Sequence, residues 1–219
     1  MSTFGDLLGR RLARDPAQPF VTFYDDVTGE RTELSVTTYA NWVSKTANLF
    51  TDELMLDPGD DLRIDLPPHW LGTVFLGGLL SCGLTLDDSA PVAIVGPDGL
   101  AHHSGLAGAT TMACSLRPFA VRFAEPLPAG VLDHGVLWAG QSDVFLPVEP
   151  VDLGSPAPDD RRVLTDLNPL DDDGRALLVG LLAGSGSLVL VANADDSRWS
   201  AHHESERTTA AVRADQPIS

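Results

Sequence analysis

The sequence predicts an α/β protein, a mixed sheet flanked by helices. Three observations carry this. Apolar residues recur at helical spacing in several long segments, short apolar runs bounded by turn residues lie between them, and the two kinds alternate along the 219 residues. The chain is 43% apolar and 21% charged, which suits a packed core, and its length suits one large domain or two small ones.

Taken in order, Ser2 to Arg14 places Phe4, Leu7, Leu8 and Leu12 on one helical face behind a Ser/Thr cap, and Asp15-Pro16 stops the helix. Phe20–Tyr24 and Arg31–Leu34 flank a turn around Val27-Thr28-Gly29 and predict a hairpin. Ser35 caps a helix carrying Tyr39, Trp42, Val43, Ala47, Phe50 and Leu54, and Asp57-Pro58-Gly59-Asp60 is a turn before a strand at Leu62–Leu66. Pro67-Pro68 opens an apolar helix through Cys82, which Gly83 ends before strands at Leu84–Leu86 and Val92–Val95. Beyond Gly96 the pattern predicts strands at Thr110–Leu116, Val121–Phe123, Val131–Trp138 and Val144–Val148, then a proline-rich acidic connection over Pro147 to Asp160. Arg162–Leu167 reads as a strand, Asp171–Ala183 as a helix, Ser187–Ala192 as a strand and Arg198 to Arg213 as a polar helix.

Charge narrows the function. Fourteen basic residues face 31 acidic ones, a formal charge of −17, which repels nucleic-acid phosphates and anionic lipid. The most apolar stretch, Trp70 to Leu86, is broken by Gly72, Gly77, Gly78, Ser81 and Gly83 and is too short for a bilayer span. Neither nucleic acid nor membrane is expected as a partner. The N-terminus lacks a basic segment followed by an apolar run, so the cytoplasm is the expected location. Cys82 and Cys114 have neither metal spacing nor a secretory context, and are expected buried and reduced.

Each candidate site has a plainer reading beside it. Gly180 to Ser187 is glycine-rich, but a phosphate loop runs strand, glycines, helix, and here the helix comes first; a helix C-cap turn is the expectation. His102-His103 and His202-His203 lack companion ligands at zinc spacing and are expected at the solvent. The aspartates at 25–26, 87–88, 159–160 and 171–173 lack calcium-loop spacing, and Asp171-Asp172-Asp173 is expected to cap the helix it precedes. Ser81, Ser104, Ser142 and His134 assemble no nucleophile with a base. No catalytic, metal or cofactor residue is singled out.

The first 95 residues resemble the N-terminal part of the adenylate-forming, AMP-binding acyl-CoA synthetases. LSVTTYANWVSKTANLF and LDPGDDLRIDLPPHWLGTVFLGGLLSCGLTLDD carry the likeness, and RVLTDLNPLDDDGRALLVGLLAGSGSLVLVANAD, within residues 161–213, carries a second. The resemblance implies a single shortened domain of an actinobacterial type, with 96–160 as a divergent connecting region. The family's Ser/Thr/Gly-rich phosphate loop should lie between the two matches, where Gly154-Ser155-Pro156-Ala157-Pro158-Asp159-Asp160 stands instead. Its adenine, ribose and catalytic-lysine segments would follow residue 219. Adenylation brings two anions together and needs N–H groups, Mg²⁺ and a cation; Lys45 is the single lysine here. The resemblance therefore implies a non-catalytic binding or assembly module, with an acyl- or CoA-processing enzyme, or a subunit complementing a separate C-terminal half, as alternatives. A homodimer through Phe75, Leu76, Leu79, Leu177, Leu178 and Leu181, and an acyl or nucleotide-like small molecule, are the expected partners.

Overall fold

The computed structural model describes residues 2–103, 108–149 and 151–215. The strands are β1 (Pro19–Asp25), β2 (Arg31–Ser35), β3 (Asp61–Asp65), β4 (Thr85–Leu86), β5 (Val92–Val95), β6 (Thr110–Ala113), β7 (Val131–Asp133), β8 (Arg162–Thr165), β9 (Ser187–Ala192) and β10 (Ala210–Val212). The α-helices are α1 (Phe4–Arg14), α2 (Val36–Asp52), α3 (Trp70–Cys82), α4 (Leu100–His103), α5 (His134–Leu137), α6 (Asp172–Ala183) and α7 (Asp196–Ser205). The mixed α/β class is as the sequence indicates. No helix among the described residues is long and apolar enough to cross a membrane.

The chain divides into two compact units. The first comprises Met1–Ala40, Pro68–Thr73 and Asp152–Ser219. Its sheet has the order β10-β8-β9-β1-β2, parallel except for the antiparallel β1–β2 hairpin. All six residues of β9 are buried, as a central parallel strand requires. Thr3 and Asp6 form a capping box at the start of α1, and Ser35 Oγ accepts the Thr38 N–H to begin α2. Asp25 Oδ1 accepts the N–H groups of Val27 and Thr28, which closes the hairpin turn.

The second unit comprises Asn41–Pro67 and Val74–Val151. Its sheet is wholly parallel, in the order β4-β3-β5-β6-β7. From β3 the chain crosses through α3 to β4 on one side and then reaches β5 on the other, so strand order reverses between β3 and β5. Gly78 has no Cβ because one would stand 2.7 Å from Thr46 Cγ2 and 3.2 Å from the Phe50 ring.

Several expected elements are corrected. Val121–Phe123 and Val144–Val148 form no strand; Val121, Val144, Leu146 and Val148 are exposed, and apolar alternation without a partner strand cannot satisfy the backbone. The expected strands over Thr110–Leu116 and Val131–Trp138 stop at Ala113 and Asp133. Leu116 takes a positive φ of 51°, and Asp133 caps α5 by accepting the Gly135 N–H. Helix α7 ends at Ser205, after which Ala210–Val212 pairs with β8 as an edge strand. Helix α3 starts two residues beyond Pro68, capped by His69 Nδ1, which accepts the Leu71 N–H.

Candidate functional site

The glycine-rich turn decides the question of a phosphate loop. Helix α6 ends at Ala183, and the next four N–H groups are all consumed by the protein. Gly184 donates to Gly180 O, Ser185 to Asp160 Oδ1, Gly186 to Asp159 O and Ser187 to Arg161 O, at 2.7–3.0 Å. Two carbonyls of the turn are occupied as well. Arg11 donates to Gly184 O and Gly186 O, each at 3.0 Å, and Arg14 donates to Gly184 O at 2.7 Å. A Cβ on Gly184 would lie 2.3 Å from Asp159 O, and one on Gly186 would lie 2.5 Å from the carbonyls of Asp159 and Arg161. The glycines serve close approach of the 159–161 segment, and the turn is a C-cap, as its order in the sequence predicts.

The segment before β8 presents carboxylates. Arg161 forks onto Asp159 and holds its carboxyl below the usual range, while the Ser185 hydroxyl and N–H do the same for Asp160. The single lysine, Lys45, donates to Gln141 O at 2.5 Å and pairs with Asp143 at 3.3 Å.

The histidine pairs split, because neighbouring side chains face opposite ways. His102 and His203 are exposed, but His103 and His202 are buried, against the expectation of solvent. His202 Nε2 lies 2.8 Å from Asp26 Oδ1; that carboxylate is 1% exposed and also binds the Asp195 N–H and Arg198. His103 Nε2 lies 3.1 Å from Asp65 Oδ2. Asp65 ends β3, beside the point where strand order reverses, the crevice in which open parallel sheets hold ligands. Neither pair was visible in the sequence, since each joins residues from distant segments. Adjacency of two histidines signals only that one of them faces inward.

The other candidates have structural roles. Asp87 accepts from Ser89, and Ser81 Oγ donates back to Gly77 O within its helix. Asp171 makes no side-chain cap, which corrects that expectation; Asp172 and Asp173 occupy the first turn of α6, and Asp172 pairs with Arg175. Ser142 Oγ accepts the Val144 N–H, and Ser104 lies outside the described residues. His134 is buried against Phe75 and Trp138, and burial pushes it down to about 3. Cys82 and Cys114 are both buried and unpaired. Among the described residues no three His, Cys, Asp or Glu side chains converge as a metal would need. The expected association face is corrected too: Phe75, Leu76, Leu79, Leu178 and Leu181 are at most 2% exposed, and Leu177 is half-buried.

Comparison with solved structures identifies the fold. The chain superposes on an acyl-CoA synthetase from Brucella canis with a TM-score of 0.75 at 12% identity, covering 97% of this chain and 47% of that one. The N-terminal domain of FACL13 from Mycobacterium tuberculosis gives 0.70 at 11% identity, covering 96% and 62%. The chain thus has the fold of the N-terminal domains of acyl-CoA synthetases and spans about half the length of the first of these. No protein-family model matches the sequence. A relative of nearly equal extent, the TIGR03089 family protein of Mycobacterium tuberculosis, is 34% identical over 233 aligned positions, covering 94% of this chain and 96% of that one. On that identity and coverage, the protein belongs to the TIGR03089 family.

Proposed function

We propose that this protein is a non-adenylating binding module built on the acyl-CoA synthetase fold. The observation that carries the reading is the closed turn at residues 184–187, whose four successive N–H groups are spent on Gly180, Asp160, Asp159 and Arg161. Phosphoryl chemistry stabilises a pentavalent centre with free N–H groups, Mg²⁺ and a cation. The turn offers only occupied donors, and the neighbouring carboxylates of Asp159 and Asp160 are themselves spent on Arg161 and Ser185, so it forms no cradle for a triphosphate.

The alternative, an acyl- or CoA-processing enzyme, needs a nucleophile beside a base. Among the described residues none of Ser81, Ser142, Cys82 or Cys114 bonds a histidine. The carboxyl end of β3, beside Asp65 and His103, is the place we assign to an acyl or nucleotide-like ligand. Association of two copies belongs to the same proposal, with the exposed Leu146 and Val148 replacing the helix residues. A mass of 23.3 kDa by light scattering at every loading would overturn it.

Pyrophosphate exchange with ATP across a panel of carboxylic acids tests the main reading. No exchange above background is expected, and exchange with any acid overturns it. Calorimetry with Mg·ATP is expected to give millimolar affinity or weaker, about 4 kcal/mol; micromolar binding would mean that a nucleotide site exists.

A further inference from the structure

The amino ends of β1, β8 and β9 border a concavity of about 600 Å³. This is the sheet edge opposite the one where parallel sheets hold their ligands; Ser185 and Ser187 of the closed turn line it with their N–H groups already spent, and neither histidine pair does. Arg11, Arg162, Arg207, Gln18 and Ser187 line it, together with the carboxylates of Asp15 and Glu206.

The carboxylates are already spoken for. Asp15 takes Arg14 Nε at 2.7 Å. Glu206 takes Arg162 Nη2 at 2.5 Å, Arg31 Nη2 at 3.1 Å and the Tyr24 hydroxyl. Burial alone would raise the Glu206 carboxyl, but these donors hold it below its usual range, so it is ionised and neutralised. Arg31 is shared with Glu33, and Asp160 faces Arg11 and Arg14. Five guanidinium groups thus meet four carboxylates, a local excess of positive charge in a chain of −17.

Arg207 is the group left over. Among the described residues its guanidinium has no hydrogen bond and no ion pair, and it is exposed on the wall of the concavity. Its backbone makes the choice of residue informative. Arg207 follows the last turn of α7 with φ of 50°, the left-handed position that glycine fills at least cost. An arginine there is disfavoured for folding. Beside it Ser187 Oγ accepts from Arg162 Nη1, which leaves the serine proton to donate, and the Gln18 carboxamide is exposed at the rim.

We infer that this concavity binds a small oxyanion, the phosphate or carboxylate group of a small molecule. Arg207 forks onto it, Ser187 and Gln18 donate beside the fork, and Arg162 and Arg11 supply positive potential from behind. The inference does not rest on the absence of adenylation, since an anion held here meets no group that activates it.

The test is an NMR titration of the full chain with inorganic phosphate, and separately with acetate, at constant ionic strength against chloride. Saturable shifts at Gln18, Ser187 and Arg207 are expected with millimolar dissociation constants, and the tighter of the two anions names the source. Arg207→Gly should weaken binding by about tenfold or more, as loss of a charged hydrogen-bonding group does, while its unfolding midpoint stays equal or rises because the left-handed strain is relieved. Arg207→Lys should fall between the two. Binding unchanged in Arg207→Gly, or shifts that chloride reproduces, would overturn the proposal. So would an Arg207→Gly variant that loses binding only together with its fold.

Discussion

His202 Nε2 lies 2.8 Å from Asp26 Oδ1, although the two residues are 176 positions apart. The contact fastens α7 to the end of β1. Both side chains are more than nine-tenths buried, so neither can turn to water if its partner is lost.

Asp26→Ala and His202→Ala are each expected to cost about 2–4 kcal/mol, because each strands a buried polar partner. The double variant should cost less than the two single costs combined by about 1 kcal/mol or more. Urea unfolding reads all three, and strict additivity would show that the pair is not coupled.

Stability should fall in mild acid. Burial pushes His134 down to about 3 and His69 to about 4, whereas an unfolded chain protonates histidine near 6.5. Below that pH the unfolded state takes up protons that the folded state refuses. The contribution is therefore complete above 6.5 and is lost as the pH drops, by about 1.4 kcal/mol per unit for each ring. Denaturant unfolding between pH 7.5 and 5 should show the decline, and His134→Phe should remove about half of it. A flat profile in the parent protein would contradict the burial of these rings.

Gly184→Ala should destabilise by about 3 kcal/mol or more, since its Cβ would enter the space of Asp159 O at 2.3 Å. Ser185→Ala removes one exposed bond to Asp160 and should cost about 1 kcal/mol or less. Equal effects would remove the packing explanation for the glycine.

Both thiols should resist Ellman's reagent in the folded protein. Burial pushes Cys82 up to about 12 and Cys114 well above its ordinary value, so neither supplies thiolate near neutrality. Both should react in denaturant. Rapid labelling of either in native buffer would place it at the surface.

What the sequence determined by itself is local. The Ser/Thr cap before α1, the Ser35 cap, the turn around Val27-Thr28-Gly29 and the continuous apolar run of β9 depend on neighbours in the chain, and cap residues, turn residues and apolar runs expose them. The order of helix, glycines and strand likewise excluded a phosphate loop at 180–187, because a helix's last turn presents carbonyls. Tertiary structure decided the rest. Ala210–Val212 is a strand because β8 offers an edge, and Val144–Val148 is not one because no edge meets it. His202 and His103 are buried because Asp26 and Asp65, far away in sequence, supply acceptors that offset their desolvation. Arg207 lines a concavity only because three strands begin there together. Such juxtapositions follow from sheet order and register, which arise from packing over the whole chain and leave no mark in any short window of residues.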